Sequence, residues 1–179
     1  LLIIILRLFF NVFSDRNTES AKFGITSSGV IFFISLICFL IAFYSLDPIQ
    51  NTFEKSEQLF WGMGHIIQFS NTLLMFVVIQ ILSRMNFGVS PLSERNFKIL
   101  CCFMVAGSSI GPMIYFTSSF DSSEQIGSFT NLYWYVMPLP LVWYIVSAFL
   151  LLLRFAPPLR FMTPEVVCLW ITILLFTFG

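Results

Sequence analysis

The chain has 179 residues, of which 58% are hydrophobic and only 10% are charged, and its mean hydropathy is +0.90. This composition excludes an ordinary soluble domain and predicts an integral membrane protein. Nine basic and nine acidic residues give a formal net charge of zero. This balance argues against a nucleic-acid partner, so the expected partners are the lipid bilayer and other membrane subunits.

Six apolar runs divide the chain into candidate membrane helices. A helix requires about 20 mainly apolar residues to cross the hydrocarbon core of a bilayer, and none of the runs alternates as the strands of a β-barrel do. The predicted fold class is therefore all-α, a polytopic transmembrane helix bundle with five spans and one truncated span. In chain order the segments comprise residues 1–13 (truncated), 25–46, 59–83, 97–116, 130–153 and 164–179 (short).

The connections between these segments are roughly ten to fifteen residues long, which is too short for a separate soluble domain. We therefore expect a single transmembrane helical domain over residues 1–179. The chain begins with Leu1 inside one apolar run and stops at Gly179 inside another. We interpret it as an internal fragment of a longer polytopic protein.

The distribution of basic residues predicts the orientation of the bundle. Short, positively charged loops stay on the inner side of a membrane. The connections predicted inside comprise residues 14–24, 84–98 and 154–162. The connections 47–58 and 117–129 carry one basic residue and none, so we expect them outside. The helix that contains His65 then runs from outside to inside, with His65 less than two turns below its outer end.

Two prolines interrupt the segment 130–153. Pro138 and Pro140 remove two backbone donors, which predicts a kink and favours a position inside the bundle or beside a cavity. Transporters use the same device, so transport is a third hypothesis for the function. We rank it last, because no pair of charged residues lies at the membrane midplane and no internal repeat is apparent.

His65 is the only histidine in the chain and lies inside an apolar segment. An ionisable ring at membrane depth is a candidate functional group. On a helix, Trp61, His65, Gln68 and Thr72 share one face. Two interpretations follow: the polar stripe forms hydrogen bonds with a neighbouring helix, or the imidazole binds a metal. One histidine cannot form a metal site alone, so further ligands would lie on other helices or in missing sequence.

The sequence around His65 resembles one membrane protein family. The stretch Phe60-Trp61-Gly62-Met63-Gly64-His65 has an aromatic-Gly-His pattern, and the polar stretch Gln68-Phe69-Ser70-Asn71-Thr72 follows it. The first is similar to the copper-ligand helix of haem-copper oxidase subunit I, and the second extends the similarity to the divergent members related to nitric-oxide reductases and cbb3-type oxidases. By this resemblance the six segments correspond to the fourth through ninth helices of the family.

The resemblance implies a membrane subunit of a respiratory redox complex, in a bacterial or mitochondrial inner membrane, with haem and copper or non-haem iron as cofactors. His65 would be a metal ligand, and Trp61, Gln68 and Thr72 would surround and orient it. If the chain is an enzyme, it would be an oxidoreductase like the haem-copper oxidases or nitric-oxide reductases. The family carries a His-His pair on the next helix, whereas residues 108–119 contain no histidine. The expected metal centre is therefore incomplete.

A second hypothesis belongs to a different class of protein. In it the chain is a non-catalytic scaffold or accessory membrane subunit, with no metal at His65, in which the same bundle serves as a packing surface. This hypothesis predicts that His65→Leu leaves assembly and any redox spectrum unchanged.

Overall fold

The structure, a computed structural model, describes residues 19–46, 52–119 and 122–155 and the single positions Val167 and Ile171. Within these ranges the regular structure is entirely α-helical, which confirms the predicted all-α class for this part of the chain. The predicted segments 1–13 and 164–179 lie outside the described ranges. The six helices are α1 (Glu19–Ser45), α2 (Thr52–Phe87), α3 (Glu94–Ser108), α4 (Ile110–Thr117), α5 (Ser123–Val136) and α6 (Pro138–Phe155).

Four helical stretches are long and apolar enough to cross a membrane: Glu19–Ser45, Ser56–Phe87, Glu94–Thr117 and Ser123–Arg154. They coincide with the four middle segments predicted from hydropathy, and each begins before its apolar run. A helix continues into polar sequence as long as its backbone hydrogen bonds and caps are satisfied. At the start of α3 and α5 a serine hydroxyl supplies the cap, which hydropathy does not register.

The two later stretches are each interrupted by a single residue. Only Ser109 separates α3 from α4, and only Met137 separates α5 from α6. Pro112 lacks the N–H that would reach the carbonyl of Ser108, and Pro140 lacks the one that would reach Val136. The second interruption falls at Met137, directly before Pro138, where the prolines predict it.

Helices α1 and α2 pack closely through small side chains. The hydroxyls of Ser28 and Ser70 lie 2.7 Å apart, and each is also within hydrogen-bonding distance of the backbone carbonyl of the other residue, at 3.2 and 3.1 Å, so two protons serve three contacts. One turn earlier on α1, a Cβ on Gly24 would collide with Val77 and lie 2.9 Å from Cε1 of Phe97. Small and hydroxylated residues therefore bring these helices together, as is common in membrane bundles.

Tyr144 of α6 anchors a neighbouring face of α2. Its ring is fully buried and stacks on Phe76 with centroids 4.2 Å apart. Its hydroxyl lies 2.7 Å from the carbonyl oxygen of Phe76 and 3.2 Å from Oε1 of Gln80, two acceptors for one proton. The Gln80 amide in turn donates to the carbonyl of Leu92 at 2.8 Å. This network ties α2, α6 and the α2–α3 loop together and holds α2 at the centre of the fold.

Candidate functional site

The imidazole of His65 is oriented by its own helix. Nδ1 lies 2.8 Å from the backbone carbonyl oxygen of Trp61, one turn earlier on α2. Because a carbonyl oxygen can only accept, Nδ1 carries the proton and donates. In the neutral ring Nε2 is then unprotonated and presents a lone pair. The chain has thus selected the tautomer that leaves Nε2 able to accept a hydrogen bond or to bind a metal.

Aromatic side chains surround the His65 ring. Its centroid lies 4.9 Å from the Trp61 ring, 6.2 Å from Phe129 and 6.3 Å from Tyr133, the last nearly perpendicular at 85°. Phe129 and Tyr133 are four residues apart on α5, so one face of that helix meets the ring. These contacts leave the imidazole partly buried and restrict its rotation about the side-chain bonds.

The stripe predicted on α2 lines one groove. Trp61, His65, Gln68 and Thr72 all border a groove of about 720 Å³ between α2 and the α5–α6 segment. Gln68 is exposed, whereas Thr72 is buried. The structure records no hydrogen bond from either side chain to His65 in the part of the chain it describes. Of the three residues expected to orient the imidazole, only Trp61 does so here, through its backbone carbonyl.

The groove also contains residues that the stripe did not include. Glu57 lies one turn before Trp61 and extends the same face of α2, and its helical spacing was a signal that could have identified it. The opposite wall is formed by three residues at successive turns of the α5–α6 segment, namely Tyr133, Met137 and Leu141. The sequence alone does not show that Tyr133 and Met137 face His65, because it does not show which helix packs against this face of α2.

Gly64 keeps the groove open and Gly62 closes the adjacent side. A Cβ on Gly64 would meet nothing within 4 Å, whereas a Cβ on Gly62 would collide with the Tyr115 hydroxyl and lie 2.8 Å from Cζ of Phe129. The two glycines of the sequence pattern therefore have different roles. One borders free space beside His65, and the other permits close packing of α4 and α5 against α2.

A metal centre with three protein ligands does not fit the described residues. The groove offers the His65 imidazole, the Glu57 carboxylate and the Met137 thioether. No group of three or more His, Cys, Asp or Glu side chains in residues 19–46, 52–119 and 122–155 is placed to hold a metal ion. Glu57 and His65 are two turns apart on α2 and so are not placed to share one ion, whereas a protein-bound copper or non-haem iron generally takes at least three protein ligands. Any further ligand would therefore have to come from outside these ranges.

The region where the resemblance expects a His-His pair is occupied by ordinary helix contacts. The hydroxyls of Ser108 and Ser109 both donate to the carbonyl of Val105, at 2.8 Å. Further along α4, Tyr115 packs on Gly62, and its ring meets the Phe129 ring edge to face, with centroids 5.2 Å apart. This segment therefore contributes packing to the site and no side chain that would complete a metal centre.

Comparison of the chain with protein-family models, with curated proteins and with solved structures finds no match. The arguments about function therefore rest on the residues and geometry described above.

Proposed function

We propose that this chain is an integral membrane subunit of a respiratory redox complex, resembling haem-copper oxidase subunit I, with an incomplete metal centre. One observation carries the proposal. The Nδ1–H of His65 is bonded to the Trp61 carbonyl, which leaves Nε2 unprotonated in the neutral ring, as in the histidines that bind metals in proteins.

In this proposal His65 contributes a single imidazole, and the remaining ligands belong to helices outside the described ranges or to another subunit. The five spans and one truncated span, with residues 14–24, 84–98 and 154–162 inside, are part of the same proposal. In a working enzyme Trp61 would hold the imidazole in one orientation, and Gln68 and Thr72 would supply polar groups along the same face.

The experiment uses the full-length protein purified with its partner subunits from its native membrane. Bound haem and metals are quantified, and reduced-minus-oxidised optical spectra are recorded for the wild type, for His65→Leu and for Asn71→Leu. Asn71 is the matched control, since it is a polar residue of the same helix that is exposed and does not border the groove. We expect a redox-active cofactor whose spectrum changes in His65→Leu alone.

A non-catalytic scaffold subunit is the second candidate, and the packing of the ring favours it. Nδ1 is satisfied within α2, and three aromatic rings cover the imidazole, so its position is explained without any metal. In that case the complex assembles normally in His65→Leu, and the spectra of all three proteins are identical. Such a result, or a complex without any redox-active cofactor, would overturn the first candidate.

A further inference from the structure

The segment 110–136 is attached to the rest of the bundle at two helix breaks. It comprises α4, the loop after it and α5, and we call it the end module. It joins α3 at Ser109 and α6 at Met137. The two breaks lie side by side, because a Cβ on Gly107 would be only 2.6 Å from Cγ1 of Val136. Two adjacent attachment points define one axis about which the end module can turn.

The backbone at both breaks lacks hydrogen bonds that a continuous helix would have. Pro138 and Pro140 have no N–H to donate across the α5–α6 break, and Pro112 has none for the α3–α4 break. Across the α5–α6 break the N–H groups of Met137 and Leu141 donate at 3.2 and 3.3 Å. Hinges in proteins are formed by a few residues at the ends of structural elements. The two breaks are therefore the positions at which the end module can bend relative to the bundle.

The contact between the end module and the start of α2 is loosely packed. Tyr115 and Phe129 of the module close on Gly62. Two spaces adjoin this contact, namely the groove of His65 and a cavity of about 270 Å³. Trp61 borders both spaces, and its indole N–H is buried and makes no hydrogen bond with the described residues. Buried polar groups are almost always paired, so the closed arrangement is disfavoured by an amount that water would remove when the module turns away.

We propose that the end module is a lid that turns about the breaks at Ser109 and Met137, and so opens and closes the end of the bundle over α1 and α2. The rings of Phe129 and Tyr133, which lie against the imidazole of His65, move with the lid. Opening therefore uncovers His65, and closing encloses it. This motion does not depend on a cofactor at His65.

The chain contains its own reporter of the closed lid. Cys38 of α1 is fully buried, and a Cβ on Gly111 of α4 would lie 3.3 Å from its Sγ. The Cys38 thiol therefore lies beneath the end module. Cys101 is equally buried, but it lies on α3, outside the end module. A buried group reacts only when the structure around it opens, and a local opening requires less free energy than unfolding of the core.

The test measures alkylation of the wild-type, full-length protein by N-ethylmaleimide in lipid nanodiscs, with each cysteine-containing peptide followed by mass spectrometry. Rates are divided by those of the same thiols in the denatured protein. We expect Cys38 to react at least about tenfold faster than Cys101, because only Cys38 is uncovered by the lid. The exposed Cys102 should react at once, which shows that the reagent reaches the bundle.

A hinge variant assigns the reaction of Cys38 to the breaks. The double substitution Pro138→Ala and Pro140→Ala restores two backbone donors, and we expect it to slow Cys38 toward the rate of Cys101. Pro91→Ala is the matched control, because Pro91 lies in the α2–α3 loop, away from both breaks.

Three results would overturn the proposal. In the wild type, Cys38 would react no faster than Cys101, a comparison that does not depend on any variant. In the hinge variant, the rate of Cys38 would be unchanged or higher. In Pro91→Ala, Cys38 would slow as much as in the hinge variant. Because the readout involves no redox cofactor, this proposal can fail while the proposed redox function stands, and the reverse.

Discussion

His65 and Trp61 are joined within a single helix, since the Nδ1–H of the imidazole donates to the Trp61 carbonyl at 2.8 Å while the two rings lie 4.9 Å apart. The same residue therefore sets the tautomer of His65 through its backbone and restricts its rotation through its side chain. Both contacts belong to one turn of α2, so this part of the restraint on the imidazole is local to the helix, while Phe129 and Tyr133 add contacts from α5.

The first prediction concerns this tautomer. Because His65 is the only histidine in the chain, uniform labelling of histidine with ¹⁵N gives a signal from one ring. We expect the neutral ring to show a protonated Nδ1 and an unprotonated Nε2 in solid-state NMR of the protein in lipid bilayers. A protonated Nε2 with an unprotonated Nδ1 would contradict the hydrogen bond to Trp61.

The second prediction compares two glycines on one helix. Gly62→Ala places a methyl group against Tyr115 and Phe129, and we expect it to destabilise the fold by about 1–3 kcal/mol through overpacking. Gly64→Ala is the control, because a Cβ there meets nothing within 4 Å, and the better helix propensity of alanine should leave stability unchanged or raise it by up to about 1 kcal/mol. Unfolding in mixed micelles measures both, and equal effects would contradict the packing of α4 and α5 on Gly62.

The third prediction concerns the contact between α1 and α2. Replacing Ser28 and Ser70 with alanine removes the interhelical hydroxyl pair, and we expect the double variant to lose about 1 kcal/mol of stability. A double-mutant cycle isolates the coupling, since the two hydroxyls lie 2.7 Å apart. Ser147→Ala is the matched control, because that hydroxyl donates to the Trp143 carbonyl of its own helix. Strictly additive single effects would show that the hydroxyl pair contributes nothing.

The fourth prediction tests the proposed orientation. Ser90 lies in the α2–α3 loop and Ser119 follows α4 at the opposite end of the bundle. Single cysteines at these positions, in a background without the exposed Cys102 and the other native cysteines, are treated with a membrane-impermeant maleimide in intact cells. We expect Ser119→Cys to react at once and Ser90→Cys to react only after the membrane is permeabilised. The reverse pattern would invert the topology.

The polar stripe on α2 illustrates how far sequence reasoning extends. Helical periodicity placed Trp61, His65, Gln68 and Thr72 on one face, and all four border one groove. The same periodicity could have added Glu57. The spacing of four residues between Trp61 and His65 even permits their hydrogen bond, because a ring at position i can reach the carbonyl at i−4 of its own helix.

Helical periodicity does not predict which residues form the walls opposite α2. Tyr133 and Met137 face His65, and Tyr115 covers Gly62, only because α4 and α5 approach α2 from particular directions. Hydropathy and periodicity are local properties of a chain, and they identify the helices and their faces. Which faces meet depends on side-chain contacts between residues far apart in sequence, such as Ser28 with Ser70 and Tyr144 with Phe76. The helices and the His65 tautomer are thus encoded locally, whereas the groove arises from the packing of the bundle.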